Sequence, residues 1–273
     1  MCLIAIAWQA HPDYPLVVAA NRDEWRDRPA IPAHWWSEHP QLLAGRDLQA
    51  GGTWMGITPS GRFAAVTNFR DPSDRRPAAL SRGALVTQFL LGAEEPARYL
   101  AGLANRAAQY NGFNLLAGNA TSLLYFGSRE GEVRRVEPGV HALSNHLLDE
   151  PWPKVTKARE AMQASLGRGD EPLFAMLSDT TAAPDAELPD TGVGLERERM
   201  LSPAPDDALP DTGMGLERER WLSSILITGE NYGTRTSTVL RIGAGGNARF
   251  EERTRAATGE VTATSVFEFG LLP

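Results

Sequence analysis

Two stretches near the start of the chain are apolar at successive positions rather than alternate ones: CLIAIAW (2–8) and LVVAANRDE (16–24). A strand with one wet face alternates, whereas a strand covered on both faces does not. The pair therefore predicts a buried hairpin, turning at HPDYP (11–15), inside a layered protein. From Pro29 to Gly52 the chain is rich in Pro, Trp and Gly and predicts a long ordered loop. TWMGIT and RFAAVTNF flank Pro59-Ser60-Gly61 and predict a second hairpin. Helical patterns follow. Ser81 is placed to cap RGALVTQFLLG, which stops at Gly92, and a second helix is predicted over 94–112. Strands return at FNLLAGN, SLLYFGS and GVHALSN, then helices at KVTKAREAMQASLG and EPLFAMLSD. SSILITG, TRTSTVLRIG, ARFEERTR and TSVFEFG predict strands to the end. Short hairpin links imply antiparallel pairing. Two apolar-faced sheets covered by helices give the expected fold class: α+β, a four-layer α/β/β/α sandwich of two antiparallel sheets.

One segment breaks the pattern. APDAELPDTGVGLERERMLS (183–202) recurs as APDDALPDTGMGLERERWLS (204–223). Two copies are too few for a solenoid. The expectation is one domain over 1–273 carrying an acidic duplicated insertion at about 183–223. The insertion reads as a surface excursion with short helices at LERER, since surface loops accept length cheaply.

Composition narrows the function. Hydrophobic residues make up 42% and charged residues 22% of 273, ordinary globular values. The net charge of −7 argues against a nucleic-acid partner. No apolar run approaches the roughly 20 residues of a membrane span, and no basic region precedes an apolar core as in a signal peptide. The five histidines form no HExxH-type pair, so no metal is expected. The single cysteine excludes an internal disulfide and fits a reducing cytoplasm.

That cysteine is Cys2, directly behind Met1. One reading makes it a small hydrophobe at the start of a buried strand. The other makes it a nucleophile. Removal of Met1, expected before a small residue, would leave a thiol and a free α-amine on one residue. That amine has an ordinary pKa near 7.7–8.0 and can take the thiol proton. If the first hairpin turns at 11–15, Asn21, Arg22, Asp23 and Glu24 end the second strand beside Cys2. Alternation sends Asn21 and Asp23 to one face and Arg22 and Glu24 to the other. Gly51 and Gly52 either let a backbone approach a ligand or make a turn. Trp35, Trp36 and Trp54 either wall an apolar pocket or pack in the core. Arg70, Arg75, Arg76 and Arg82 either receive a phosphate or carboxylate or line a solvated loop.

MCLI, NRDE, AGGTWMGI, TNFRDP, LSRG and YGTRTSTVL resemble the NRDE family, also called the transport and Golgi organisation family. The resemblance covers nearly the whole chain, except that the doubled LPDTG segment normally occurs once. That family is similar to N-terminal nucleophile hydrolases of the choloylglycine hydrolase and penicillin V acylase branch, which implies the same four-layer sandwich. Carried over residue by residue, the resemblance implies Cys2 as nucleophile and Asp23 as holder of the α-amine or thiol. Arg22 would neutralise charge, although the order and spacing of Arg22 and Asp23 differ from that branch. Asn68 is implied as an oxyanion donor, Asn145 as another active-site asparagine and Arg235 as a late active-site arginine. Two functions stay open. One is a cofactor-free hydrolase or acyl transferase acting on an amide or thioester of a small-molecule acyl substrate. The other is a non-catalytic carrier of haem or acyl-coenzyme A, since family members are linked to haem trafficking and to lipid or acyl-coenzyme A handling.

Overall fold

Leu3, Ala5 and Ala7 leave the first strand on one side, Ile4, Ile6 and Trp8 on the other, and all six are buried. The computed structural model describes residues 2–71, 76, 78–119, 121–189 and 214–272. Its first strands are β1 (Cys2–Trp8), β2 (Leu16–Trp25), β3 (Ala30–Trp35), β4 (Leu43–Asp47), β5 (Met55–Ile57) and β6 (Phe63–Asn68). Helices α1 (Gly83–Leu91) and α2 (Pro96–Ala104) follow, then β7 (Phe113–Gly118), β8 (Leu123–Gly127), β9 (Val133–Arg135) and β10 (Gly139–Leu143). Helices α3 (Pro153–Ser165), α4 (Glu171–Leu177) and α5 (Met214–Leu222) precede β11 (Tyr232–Ile242), β12 (Asn247–Arg255) and β13 (Val261–Gly270).

The strands form two sheets, paired antiparallel throughout. One runs β10-β1-β2-β11-β12-β13 and the other β3-β4-β5-β6-β7-β8-β9. Ile4, Ile6, Val18 and Leu240 of the first sheet pack with Ile57, Phe63 and Leu116 of the second, forming the core between them. Leu85, Phe89 and Leu100 from α1 and α2 cover the outer face of the second sheet. Val155, Met162 and Phe174 from α3 and α4 cover the outer face of the first, against Leu3, Ala5 and Val17. These are the four layers expected from the double-faced strands. Among the described residues, no helix is long and apolar enough to cross a membrane.

Several local expectations are corrected. The segment 29–52 holds two strands, β3 and β4. β3 is the edge of its sheet, where Pro32 is tolerated because a missing N–H there breaks no ladder. SSILITG is not a strand. Its backbone is taken by other partners: Asn21 Nδ2 donates to Ile225 O at 2.9 Å, and Thr234 Oγ1 accepts from Ile227 N at 2.9 Å. The helix expected over 94–112 ends at Ala104 and is followed by a 3-10 turn at 107–109. Ser81 stands one residue before the cap of α1, which is Arg82. Gly52 meets another backbone, not a ligand: a Cβ there would lie 2.5 Å from Gly83 C, and Thr53 N donates to Gly83 O at 3.3 Å.

Most of the first repeat copy lies outside the described residues, as does the start of the second. The described ends meet. Arg220 of α5 donates to Asp185 at 2.7 and 2.6 Å, and Ala183 N donates to Ser223 Oγ at 2.8 Å. The second copy is therefore not a mere excursion, since Leu222 and Glu219 are buried. Deleting residues 183–203 keeps this closure available, because Ala204-Pro205-Asp206 then follows Ala182 as Ala183-Pro184-Asp185 did. The expected melting temperature of that deletion lies within about 2 °C of the parent, a shift worth no more than about 1 kcal/mol. A fall of 10 °C in a thermal melt would show that the first copy packs elsewhere on the domain.

Candidate active site

The β1–β2 register pairs Cys2 with Arg22 and Leu3 with Asn21, so the NRDE tetrapeptide ends beside the cysteine as expected. Asn21 and Arg22 point to opposite faces and do different work. Asn21 Nδ2 donates to Leu177 O and Ile225 O, both at 2.9 Å, while Ser237 Oγ donates to Asn21 Oδ1 at 2.7 Å. This staples β2 to the end of α4 and to the segment before β11. Arg22 points between the sheets, its guanidinium 4.2 Å from the Trp54 ring centre, with Nη2 3.8 Å from Glu24 Oε2. Trp54 reaches that position because it lies over Gly45, where a Cβ would collide with the indole. Of the three tryptophans, Trp36 is buried under α1 and Trp35 packs on the inter-sheet core. Trp54 alone of them lines the cavity at Cys2.

That cavity measures about 10 Å³ and has room for one water. Cys2, Arg22, Trp54, Met55, Val66 and Thr238 border it. Cys2 is half-buried at the head of β1. Burial is the main force raising its thiol pKa. The Asp23 carboxylate adds to the rise, and the chain's α-amino group, the Asp23 N–H bonded to sulfur and Arg22 oppose it.

Asp23 is buried beside it. A bulge in β11 makes this possible: Arg22 pairs with Thr236 and Asp23 with Thr234, leaving Arg235 as the extra residue. The shift brings Thr234 Oγ1 to donate to Asp23 Oδ1 at 2.6 Å. Tyr232 donates its hydroxyl to the Asp23 carbonyl at 3.2 Å. Burial raises the Asp23 pKa foremost, against the α-amino group, Lys154, the Thr234 hydroxyl and Arg70, which all favour the carboxylate.

Asn145 and Asn68 join the same end of the sandwich. Ser144 Oγ donates to Cys2 O at 3.1 Å, and Asn145 Nδ2 donates to Asn68 O at 3.0 Å. The loop carrying Ser144 and Asn145 thus ties the head of β1 to the end of β6 in the other sheet. Asn114 Nδ2 donates to His146 O at 2.8 Å and Tyr125 donates to Asn114 Oδ1 at 2.8 Å, holding the loop from the second sheet. Arg235 stands outside the cavity lining. Its guanidinium donates to the carbonyls of Trp25 and Arg28. The arginines 70, 76 and 82 do not converge on an anion site. Arg70 pairs with Glu219 at 2.6 Å, whereas Arg76 and Arg82 donate to main-chain carbonyls of 108–112; Arg75 lies outside the described residues. The sequence reading missed Thr234, Ser144, Glu219 and Lys154. The YGTRTS motif held a signal for Thr234, since it places two threonines beside the arginine that was chosen.

The arrangement defines a class: a two-sheet sandwich between helical layers, with a half-buried thiol heading one of its inner strands and a buried carboxylate next to it. The chain belongs to the Transport and Golgi organisation 2 family, whose profile matches residues 1–257. It is 32% identical to the Transport and Golgi organization protein 2 homolog of Bos taurus over 289 residues, covering 99% of both chains. It is 31% identical to the Mus musculus homolog over 270 residues, covering 93% of this chain and 92% of that one. Among solved structures, it is similar to a Caenorhabditis elegans ortholog of N-acylethanolamine-hydrolyzing acid amidase. There the TM-score is 0.41 and the identity 10%, covering 65% of this chain and 86% of that one. It is also similar to a mutant conjugated bile acid hydrolase from Clostridium perfringens, with TM-score 0.42 and 8% identity, covering 98% and 92%.

Two outcomes follow from this geometry. Asn21→Leu strands two carbonyls and a serine hydroxyl, so it should cost about 3 kcal/mol in urea unfolding; a loss below about 1 kcal/mol would deny the staple. The loop bearing Asn145 is also pinned by His141 Nδ1 against Asp149 Oδ2 at 2.6 Å. That bond raises the His141 pKa, against burial. Burial pulls Asp149 up, but His141 and the Ala142 N–H outweigh it and its pKa falls. A raised histidine stabilises fully below its unfolded value near 6.5 and loses that contribution as pH rises through the folded value. The melting temperature should therefore drop from about pH 6 to pH 9. Asp149→Asn should flatten that slope, and asparagine suits the φ of +61° found there. An unchanged slope in Asp149→Asn would remove the pair from the loop's support.

Proposed function

We propose that this chain is a hydrolase or acyl transferase in which the Cys2 thiolate attacks the carbonyl of an amide or thioester. The observation that carries the reading is the position of Cys2. Its cross-strand partner is Arg22, and the buried carboxylate of the next residue, Asp23, acts on its thiol. A thiolate needs a proton acceptor and nearby positive charge. Removal of Met1 would supply the acceptor as the Cys2 α-amine, with Asp23 holding that amine and Arg22 countering the thiolate. Asn145 already spends its amide on Asn68 O, so we assign it to bracing Asn68, and the Asn68 side chain to the oxyanion. One such donor is worth roughly 3–4 kcal/mol of barrier. Arg235 then braces the Trp25–Arg28 turn rather than touching substrate. The sole thiol must stay reduced to act, which favours a cytoplasmic setting.

A haem-carrying role suits these residues poorly. The cavity at Cys2 takes one water, His141 is engaged by Asp149, and His146 lies between the Phe69 and Trp152 rings. Carriage of an acyl-coenzyme A without chemistry is the competing function, and one experiment separates the two. The untagged protein is weighed intact, incubated with a panel of acyl thioesters and amides, and weighed again. A hydrolase should show a transient acyl adduct on Cys2 and free acid in solution. Turnover should vanish in Cys2→Ala and in a chain with one unprocessed residue inserted before Cys2, because nucleophile and base act together. Full turnover by Cys2→Ala would sink the assignment.

A further inference from the structure

Lys154 has no part in the chemistry above, yet it is 2% exposed, and its buried Nζ has no hydrogen-bond partner among the described residues. A lysine ammonium carries three donors and no acceptor. Burying it with all three unmet costs stability that a methionine of similar shape would not. The partner it lacks has to come from solvent or from a ligand. Its place in the fold sharpens the mismatch. Lys154 is the second residue of α3, behind Pro153, and the N-terminus of a helix is its positive end. No side chain caps α3, and its first turn holds no acid.

A second cation adjoins. Arg70, beyond β6, lies over the Trp152 ring, its guanidinium carbon 4.8 Å from the ring centre, and Glu219 of α5 engages it at 2.6 Å. On α3 itself, Lys157 is paired with Asp179 at 2.5 Å. Burial foremost brings the Lys154 amine down to about 8; through space, Asp23, Cys2 and Glu219 favour the ammonium and Arg70 opposes it. A cavity of about 10 Å³ lies between Lys154, Arg70, Trp152 and Glu219, the size of one water and so of one carboxylate oxygen. An open cleft of about 520 Å³ runs between α3 and the segment 181–187, and Pro153, Lys154 and Ser223 border both spaces. Thr156, Glu160 and Glu187 border the cleft as well. A second negative charge in the cleft would meet those two carboxylates. The charge balance thus admits a monoanion and disfavours a dianion such as phosphate.

We propose that the head of α3 is a binding site for a small monocarboxylate: one carboxylate oxygen enters the closed cavity and accepts from Lys154 Nζ, and the rest of the molecule lies in the adjoining cleft. Arg70 and the positive end of α3 add to the attraction. No bond is made or broken there, and the site stands whether or not Cys2 is a nucleophile.

Acetate is the probe, since it carries the charged group and little else. Thermal melts of the full chain at pH 7 compare sodium acetate with sodium chloride of equal ionic strength. Acetate should raise the melting temperature saturably, by about 3 °C at ten times its half-saturating concentration. Acetamide, of the same shape without the charge, should leave it unmoved, and inorganic phosphate should bind at least about tenfold more weakly than acetate. Lys154→Met should melt no lower than the parent in chloride and should lose the acetate response. In the parent, the half-saturating concentration should rise about tenfold from pH 7 to pH 9, as the ammonium that holds the carboxylate gives up its proton. That arm decides if Lys154→Met fails to fold. Equal shifts in acetate and chloride would overturn the proposal and leave a single water in the cavity. So would an acetate response that survives in Lys154→Met or stays level to pH 9. Phosphate binding as tight as acetate would overturn the monocarboxylate assignment.

Discussion

A carboxylate taken out of water must be compensated where it lies, and Asp23 is such a carboxylate at the inner end of a strand covered on both faces. The surrounding architecture can be read as the means of compensation. The bulge in β11 exists where Thr234 must reach Asp23 Oδ1, and it displaces Arg235 from the ladder. Two cations from elements far apart in the chain, Lys154 at the head of α3 and Arg70 after β6, favour the charged form of Asp23. Cys2 feels the same carboxylate as a repulsion, so a thiolate there depends on how much of that charge its neighbours absorb.

The two sheets divide the labour. The first supplies the charged groups through NRDE, with Asn21 serving structure and Asp23 and Arg22 serving the site. The second supplies shape. Gly45 admits the Trp54 ring, and that ring fixes the Arg22 guanidinium. Asn114 and Tyr125, both fully buried, hold the loop that carries Asn145. A buried polar network of this kind rigidifies only when its members are satisfied, and here its last link is a main-chain carbonyl of the loop itself.

Much of this was legible in the sequence because double-faced strands leave an unbroken apolar run and a short turn fixes their register. That reasoning put Arg22 beside Cys2 and split Asn21 from Arg22 correctly. β3 was hidden because an edge strand needs neither an apolar run nor freedom from proline. SSILITG misled for the opposite reason, being apolar enough for a strand while its backbone groups serve Asn21 and Thr234. Lys154 sits in PWPKVTKARE, which reads as the wet start of an amphipathic helix. Its burial comes from Arg70, Trp152 and the α5 residues Glu219 and Leu222 around it, a tertiary fact with no local trace. Glu219 was masked in the same way by its place in a repeated, acidic segment.

The strand order also sets a timetable for synthesis. Cys2 and Asp23 emerge first, but β2 is completed by β11, and Thr234 follows Asp23 by 211 residues. At 5–20 residues per second a ribosome needs roughly 10–40 s to cover that distance. Throughout that interval the sheet around Cys2 lacks its closing neighbour. Non-local closure of this kind is intrinsically slow, so the head of β1 is the first part of the site to be made and among the last to be enclosed.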